Sequence, residues 1–141
     1  NVLTLKYTVK AIAAQHGLTA SFMPKPLFSD NGSGMHCPQS FSDASGRNLF
    51  FDAADEFGMS PVAYGLIAGQ RKHARALAAV VAPTVNSYKR LVPGYEAPVY
   101  VGWAQVNRSA LIRIPRYTDG MTAASRCELR CPDLAIDITT E

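Results

Sequence analysis

Residues 24–36, which read PKPLFSDNGSGMH, combine the residue types of a ligand-binding loop. Proline fixes the backbone angle φ and glycine permits positive φ, so this composition predicts a rigid loop whose backbone can approach a ligand closely. The loop ends at His36, whose imidazole could bind a metal ion or a substrate. Asp30 within the loop fits a role in the site and a plain Asx turn equally well.

Two more segments combine basic side chains with turn residues. Residues 86–98, NSYKRLVPGYEAP, contain a glycine turn and the carboxylate of Glu96, and residues 107–115, NRSALIRIP, place Arg108 and Arg113 at the start of a β-like run. Residues five apart in a strand point to opposite faces, which weakens the case for Arg113 unless a bulge or a strand start intervenes. The basic side chains favour small anionic ligands held at one site.

The composition is that of one globular domain. The chain has 141 residues, of which 48% are hydrophobic and 18% charged, and this is enough to bury a core. The formal net charge is only +3. Lysines and arginines are spread along the chain without a basic stripe interleaved with aromatic residues, which argues against a nucleic-acid-binding protein.

The sequence also argues against a membrane or secreted protein. The apolar segment at 61–83 is interrupted by RKHAR at 71–75, so it cannot cross a bilayer, and the first ten residues lack the apolar core of a signal peptide. The three cysteines are Cys37, Cys127 and Cys131. An odd number without CxxC spacing favours buried thiols in a reducing cytoplasm over disulfides or a zinc site.

Two helices are predicted around these loops. Apolar residues recur at helical spacing from Leu5 to Ile12, and Gly17 suits the end of that helix. Ser60 followed by proline is typical of a helix start, which predicts one long helix through Ala82, about 33 Å in length.

Short runs of strand type at 18–23, 98–103, 111–114 and 126–130 predict four strands, so the fold class is α+β. Residues 42–58 are mostly polar and rich in turn residues, apart from LFF at 49–51. The sequence shows no internal repeat and no second domain.

The three loop segments resemble those of type I glutamine synthetases, which read very nearly MPKPLFxDNGSGMH, NSYKRLVPGYEAP and NRSASIRIP in the same order and at about the same spacing. The resemblance covers roughly residues 1–133 and corresponds to the central part of the catalytic domain. It implies that residues 1–141 form part of an α+β catalytic domain, with a mainly antiparallel sheet and a long helix packed on it. It also implies an ATP-dependent ligation of ammonia to glutamate through a γ-glutamyl phosphate.

The resemblance implies roles for individual residues. His36 and Glu128 match ligands of a divalent cation, Mg²⁺ or Mn²⁺. The positions that match glutamate-binding residues are Asn31, Gly32, Arg90, Glu96 and Arg130. Glu96 lies on a loop that resembles the family's flap, where a carboxylate can collect ammonium and take its proton. Without the motif, Glu96 would be interpreted as a salt-bridged loop residue and the arginines as solvated.

The same resemblance implies a nucleotide site. Ser40, Arg108 and Arg113 match residues near ATP, and Arg108 would also act in catalysis by holding the charge of the transferred phosphoryl group. The implied partners are glutamate, ammonium and ATP, in a cytoplasmic homo-oligomer of stacked rings, with no nucleic acid and no membrane.

Several positions depart from the family pattern. Pro38 stands where the family usually has a histidine, the nucleotide-contacting lysine has only Met121 or Ala123 near its place, and LAIDITTE follows Asp133. The other metal-binding glutamates of the family lie upstream of the matched region. We therefore expect a fragment that is inactive alone and that self-associates or folds marginally. Two alternatives are a truncated non-catalytic remnant or binding module, and a γ-glutamyl–amine ligase with another acceptor.

Overall fold

A computed structural model describes residues 1–105, 107–116 and 122–133. The helices within these ranges are α1 (Val2–Gln15), α2 (Pro61–Lys72), α3 (Ala74–Val81) and α4 (Val85–Arg90). The strands are β1 (Cys37–Gln39), β2 (Tyr100–Ala104), β3 (Ala110–Arg113) and β4 (Cys127–Leu129), and a 3-10 turn covers Thr122–Ala124. This arrangement confirms the predicted α+β class.

The first helix ends where the sequence predicts. Gly17 has a φ of 69°, a conformation that glycine adopts without strain. Its N–H donates to the carbonyl of Ala14 at 3.1 Å, and the N–H of Leu18 donates to that of Ala13 at 2.9 Å. These two bonds form a Schellman motif, which satisfies carbonyl groups that the end of α1 would leave unpaired.

The predicted long helix is instead two helices, α2 and α3, separated at His73. The start is as predicted, because the side chain of Ser60 accepts from the N–H of Ala63 at 3.3 Å and proline occupies the first turn. His73 has φ −104° and ψ 16°, outside the helical range, so the chain turns there. The apolar pattern of ARALAAVV continues that of α2 across the break, so periodicity alone could not locate it.

The four strands of the described residues form one sheet in the order β1-β4-β3-β2. Strand β4 is antiparallel to both β1 and β3, whereas β2 pairs with β3 in parallel. The sheet is therefore mixed, with two antiparallel pairings as the resemblance implies and one parallel pairing that it did not predict. The strand predicted at 18–23 is absent, since those residues have no regular secondary structure and no ladder partners, and β1 and α4 were not predicted.

The register of the sheet separates a core face from a polar face. Cys37 and Ile112 both pair with Leu129, on the face that packs against α2. Pro38 and Arg113 both pair with Glu128, so these residues lie on the opposite face. Strand alternation therefore concentrates charged side chains of β3 and β4 on one side of the sheet.

The core lies between this sheet, α2 and the turn-rich segment 42–58. Its most buried large side chains include Phe50, Ile67 and Ile112. Trp103 on β2 packs edge-to-face against Phe57 and Tyr64, with ring centroids 5.1 and 6.0 Å apart. No helix among the described residues is long and apolar enough to cross a membrane.

Candidate functional site

Glu128 is the central carboxylate of the polar face. It is 4% exposed, and Arg113 binds it through Nε at 2.9 Å and Nη2 at 2.5 Å. Arg126, two residues earlier on the same strand face, donates from Nη2 to its second oxygen at 3.3 Å. Two guanidinium groups thus compensate the charge of a carboxylate that is otherwise removed from water.

Arg130 lies two residues beyond Glu128 and is 3% exposed. Its Nη2 donates to the backbone carbonyl of Glu96 at 3.0 Å. Within the described part of the chain, its Nε and Nη1 are buried without a hydrogen-bond partner. Burial lowers the pKa of Arg130, and the positive charges of Arg113 and Arg90 lower it further. A buried guanidinium with unused donors is costly by itself and would be stabilised by an anionic ligand.

His36 lies directly before β1, on the same side of the sheet. It is two residues from Pro38, the direct partner of Glu128, so alternation places both His36 and Glu128 on the polar face. Burial lowers the pKa of His36 below its usual 6.5, and the charges of Arg130 and Arg113 act in the same direction against that of Glu128. The imidazole is therefore neutral at pH 7, the form that can bind a cation.

The structure brings His36 and Glu128 together, but the donor set does not complete a metal site. Among the described residues, no group of three or more His, Cys, Asp or Glu side chains could hold an ion. Both oxygens of Glu128 are engaged by arginines. A divalent cation of the Mg²⁺ type needs about six ligands, so these two residues alone do not fit it. Their role as metal ligands stays a prediction.

The side chains of Arg130, Glu128 and His36 are here called the Arg130 pocket. Arg90, at the end of α4, lies next to this pocket and is 4% exposed. Its Nη1 donates to the carbonyls of Cys131 and Pro132 at 2.9 and 3.2 Å, and its Nη2 donates to the carbonyl of Arg130 at 2.9 Å. Burial is the main cause that lowers the pKa of Arg90. The guanidinium of Arg90 thus holds the backbone that follows β4 through three hydrogen bonds.

The glycines of the loop 24–36 make room for Arg90. A Cβ at Gly34 would overlap Nη2 of Arg90 and lie 2.9 Å from its Cζ. A Cβ at Gly32 would overlap the carbonyl oxygen of Pro24, which accepts from the N–H of Ser33 at 2.8 Å. The close approach predicted for this backbone is therefore observed against the protein's own arginine. Asn31 is exposed beside these glycines.

Glu96 closes the other side of the pocket. Its φ is 56°, unusual for a residue other than glycine. Its carboxylate accepts from Nη1 of Arg108 at 2.6 Å, and both side chains are largely exposed. Arg108 lies in the turn before β3 and not in the strand. The rule that residues five apart in a strand point to opposite faces therefore does not apply to Arg108 and Arg113. Both arginines contact carboxylates of this one cluster.

Ser40 and Ala123 are both exposed in this structure. Ser40 follows β1 and is exposed, at the end of the strand opposite to His36. Met121 lies outside the described residues, and Ala123 lies in the 3-10 turn. Cys127 and Cys131 are buried free thiols, as predicted, and burial raises the pKa of each to about 11.

Sequence reasoning missed Arg126 and Lys25. Arg126 could have been found, because the alternation in RCELR puts positions 126, 128 and 130 on one strand face. Lys25, in the loop 24–36, is buried with its ammonium group over the ring of Tyr95. No local sequence pattern distinguishes it from a solvated lysine.

The chain is similar to known proteins over nearly its whole length. The family model of the glutamine synthetase catalytic domain matches residues 1–136. The glutamine synthetase of Clostridium saccharobutylicum is 58% identical over 134 residues, which are 94% of this chain and 29% of that protein. That of Sulfolobus acidocaldarius is 55% identical over 133 residues, again 94% of this chain and 28% of the relative.

A solved structure shows the same fold. The Plasmodium falciparum glutamine synthetase determined by cryo-electron microscopy superposes with a TM-score of 0.87 at 38% identity, covering 95% of this chain and 26% of that one. The chain thus spans less than a third of the length of these relatives. Since the family model covers nearly all of its residues, the chain belongs to the glutamine synthetase family, within the catalytic domain.

Proposed function

We propose that this chain supplies the glutamate-binding part of an ATP-dependent glutamate–ammonia ligase. Such an enzyme activates the side-chain carboxylate of glutamate as a γ-glutamyl phosphate, which ammonia then attacks. The observation that carries the proposal is the guanidinium of Arg130, buried with two nitrogen atoms, Nε and Nη1, whose N–H groups no described residue accepts. A substrate carboxylate is the natural acceptor for two such donors.

The surroundings of Arg130 support a carboxylate site. Arg90 donates to the carbonyl of Arg130 at 2.9 Å, which places a second positive charge beside the guanidinium of Arg130. Gly32 and Asn31 line this side through the loop that Arg90 supports. His36 is neutral at pH 7, so the positive charge of the pocket comes from guanidinium groups, which bind carboxylates in a planar, two-point geometry.

Glu96 is proposed to collect ammonium and accept its proton. Its carboxylate is bound in this structure by Arg108, but the pair is largely exposed and an ion pair of this kind is easily exchanged. If Arg108 turned to a transferred phosphoryl group, the carboxylate of Glu96 would be free to bind the cationic substrate. The strained φ of Glu96 is consistent with a functional position.

The nucleotide and metal assignments remain part of the proposal. Arg108, Arg113 and Ser40 are proposed to contact ATP, and His36 and Glu128 to contribute two ligands to Mg²⁺ or Mn²⁺. The described residues do not complete that coordination, so no chemical step is assigned to the metal. The functional assembly is proposed to be a homo-oligomer of stacked rings, as the family resemblance implies.

Titration with L-glutamate tests the proposal. We expect the melting temperature of the chain to rise with glutamate concentration, and Arg130→Gln to weaken the apparent affinity by about tenfold or more, because one charge-assisted contact is lost. The matched control is Arg47→Gln, which removes an exposed arginine paired only with Asp43 among the described residues. Equal glutamate-induced shifts in Arg130→Gln and the control would overturn the assignment.

A further inference from the structure

Lys25 is a buried lysine that the proposed chemistry does not use. It is 6% exposed and lies between Pro24 and Pro26. Its backbone is held at both polar groups by one side chain: the N–H of Lys25 donates to Oδ1 of Asn86 at 2.7 Å, and Nδ2 of Asn86 donates to the carbonyl of Lys25 at 3.0 Å. Asn86 belongs to α4, so the loop 24–36 is attached to that helix at this point.

The ammonium group of Lys25 joins two loops. Its Nζ donates to the backbone carbonyl of Asp30, within its own loop. The same atom lies 3.4 Å from the centroid of the Tyr95 ring, on the loop that contains Glu96. An ammonium buried away from water must be compensated, and the negative face of an aromatic ring provides part of that compensation.

The contact between Lys25 and Tyr95 lies next to Glu96 in the chain. Tyr95 directly precedes Glu96, whose φ of 56° persists only when neighbouring contacts hold it. On the far side, Arg130 holds the carbonyl of Glu96, while the contact of the carboxylate with Arg108 is exposed and easily exchanged. Lys25 is thus the buried contact that fixes the chain before Glu96.

We propose that Lys25 is a positioning residue, whose ammonium group on the ring of Tyr95 couples the loop 24–36 to residues 93–97 and holds Glu96 at the edge of the Arg130 pocket. The coupling is a property of the ligand-free chain. Its meaning for ammonium and glutamate rests on the proposed function, because Glu96 acts on substrate only if that function is correct.

The contact has a spectroscopic signature. With lysines selectively labelled at the ε carbon, the ε protons of Lys25 should resonate upfield of those of other lysines, because they lie over an aromatic ring. The displacement should persist in Tyr95→Phe and be lost in Tyr95→Leu. If no lysine of the wild-type chain shows such a displacement, the proposal is wrong, whatever the variants do.

Amide hydrogen exchange measures the coupling. Lys25→Met keeps the length of the side chain and removes its charge, and we expect exchange in residues 92–98 to become about fivefold faster without ligand, as loss of one cation–π contact predicts. Exchange in β3 and β4 should not change, nor should exchange at 92–98 in the control Lys10→Met, which replaces an exposed lysine of α1.

The remaining outcomes separate coupling from folding and from function. Unchanged exchange at 92–98 in Lys25→Met, or equal acceleration in β3 and β4, would refute a positioning role. If Lys25→Met does not fold, the comparison of Tyr95→Leu with Tyr95→Phe decides, with faster exchange at 92–98 expected only in the leucine variant. A chain that shows the coupling but fails to bind glutamate would overturn the proposed function alone.

Discussion

Gly32 illustrates how a single position constrains the site at the scale of a residue. A Cβ there would overlap the carbonyl oxygen of Pro24 and lie 2.9 Å from Cγ of Arg90. We expect Gly32→Ala to reduce the free energy of unfolding by about 1–3 kcal/mol, because neither neighbour can move without losing its own hydrogen bonds. Chemical denaturation measures this change.

The matched control for this substitution is Gly65→Ala. Gly65 lies in α2, and a Cβ added there would meet no neighbouring atom within 4 Å, so alanine should raise stability by up to about 1 kcal/mol through helix propensity. Equal effects of the two substitutions would mean that the loop 24–36 can relax, and that its glycines do not fix the position of Arg90.

His36 leads to a prediction about pH. Its pKa in the folded chain lies below the ordinary value of 6.5, mainly because of burial and then because of Arg130. The folded state therefore favours the neutral imidazole, so this contribution to stability is complete above about pH 6.5 and is lost as pH falls through the lowered pKa. We expect His36→Gln to reduce the fall in melting temperature between about pH 8 and pH 5. A variant with the same pH dependence as the wild type would contradict this electrostatic environment.

The candidate site could be predicted from sequence where side chains alternate within one strand. The segment RCELR places Glu128 and Arg130 on one face without any knowledge of the fold. That His36 lies beside them depends on the pairing of β1 with β4, which joins segments far apart in the chain. No local pattern contains that information, so only the family resemblance could connect these residues beforehand.

At the scale of the element, the short helix α4 depends on its N-terminal cap. The hydroxyl of Thr84 accepts from the N–H of Ser87 at 3.1 Å, and the hydroxyl of Ser87 accepts from the N–H of Thr84 at 3.2 Å. A helix of six residues gains little from propensity alone, so this capping box is important to it. Because α4 carries Asn86 and Arg90, the cap indirectly holds both loops of the site.

Thr84→Ala tests this dependence. We expect a loss of about 1 kcal/mol in the free energy of unfolding, measured by urea denaturation, since the bond from the N–H of Ser87 to the Thr84 hydroxyl is removed. Thr8→Ala in the exposed middle of α1 is the control, and it should be neutral or stabilising because alanine favours a helix. If the two variants are equally stable, α4 is held by its packing and not by its cap.

The elements that sequence reasoning missed share a physical cause. Strand β1 has three residues and includes a proline, so it owes its pairing to β4 and not to its own composition. Residues 18–23 have strand-like composition but no ladder partner among the described residues, and composition alone does not make a strand. Helix α1, whose ends and spacing are set by local signals, was predicted correctly.

At the scale of the whole molecule, α1 stands apart from the core. Lys6 is its one buried residue, whereas Leu5, Tyr7 and Ile12 are 53%, 76% and 51% exposed. The core cluster of the described residues contains no side chain from α1. Leu5 and Ile12 are seven residues apart and therefore lie on one face of α1. Exposed apolar side chains on one helix face favour association, because burying them against another copy removes them from water.

We therefore expect the chain to self-associate with increasing concentration, and Leu5→Gln combined with Ile12→Gln to weaken that association by about tenfold or more. Sedimentation velocity over a range of concentrations measures it. The melting temperature at low concentration should stay unchanged, since neither side chain contributes to the core. Val80→Gln, at an exposed apolar position on α3, is the control and should associate like the wild type. A chain that remains monomeric at every concentration would contradict this prediction.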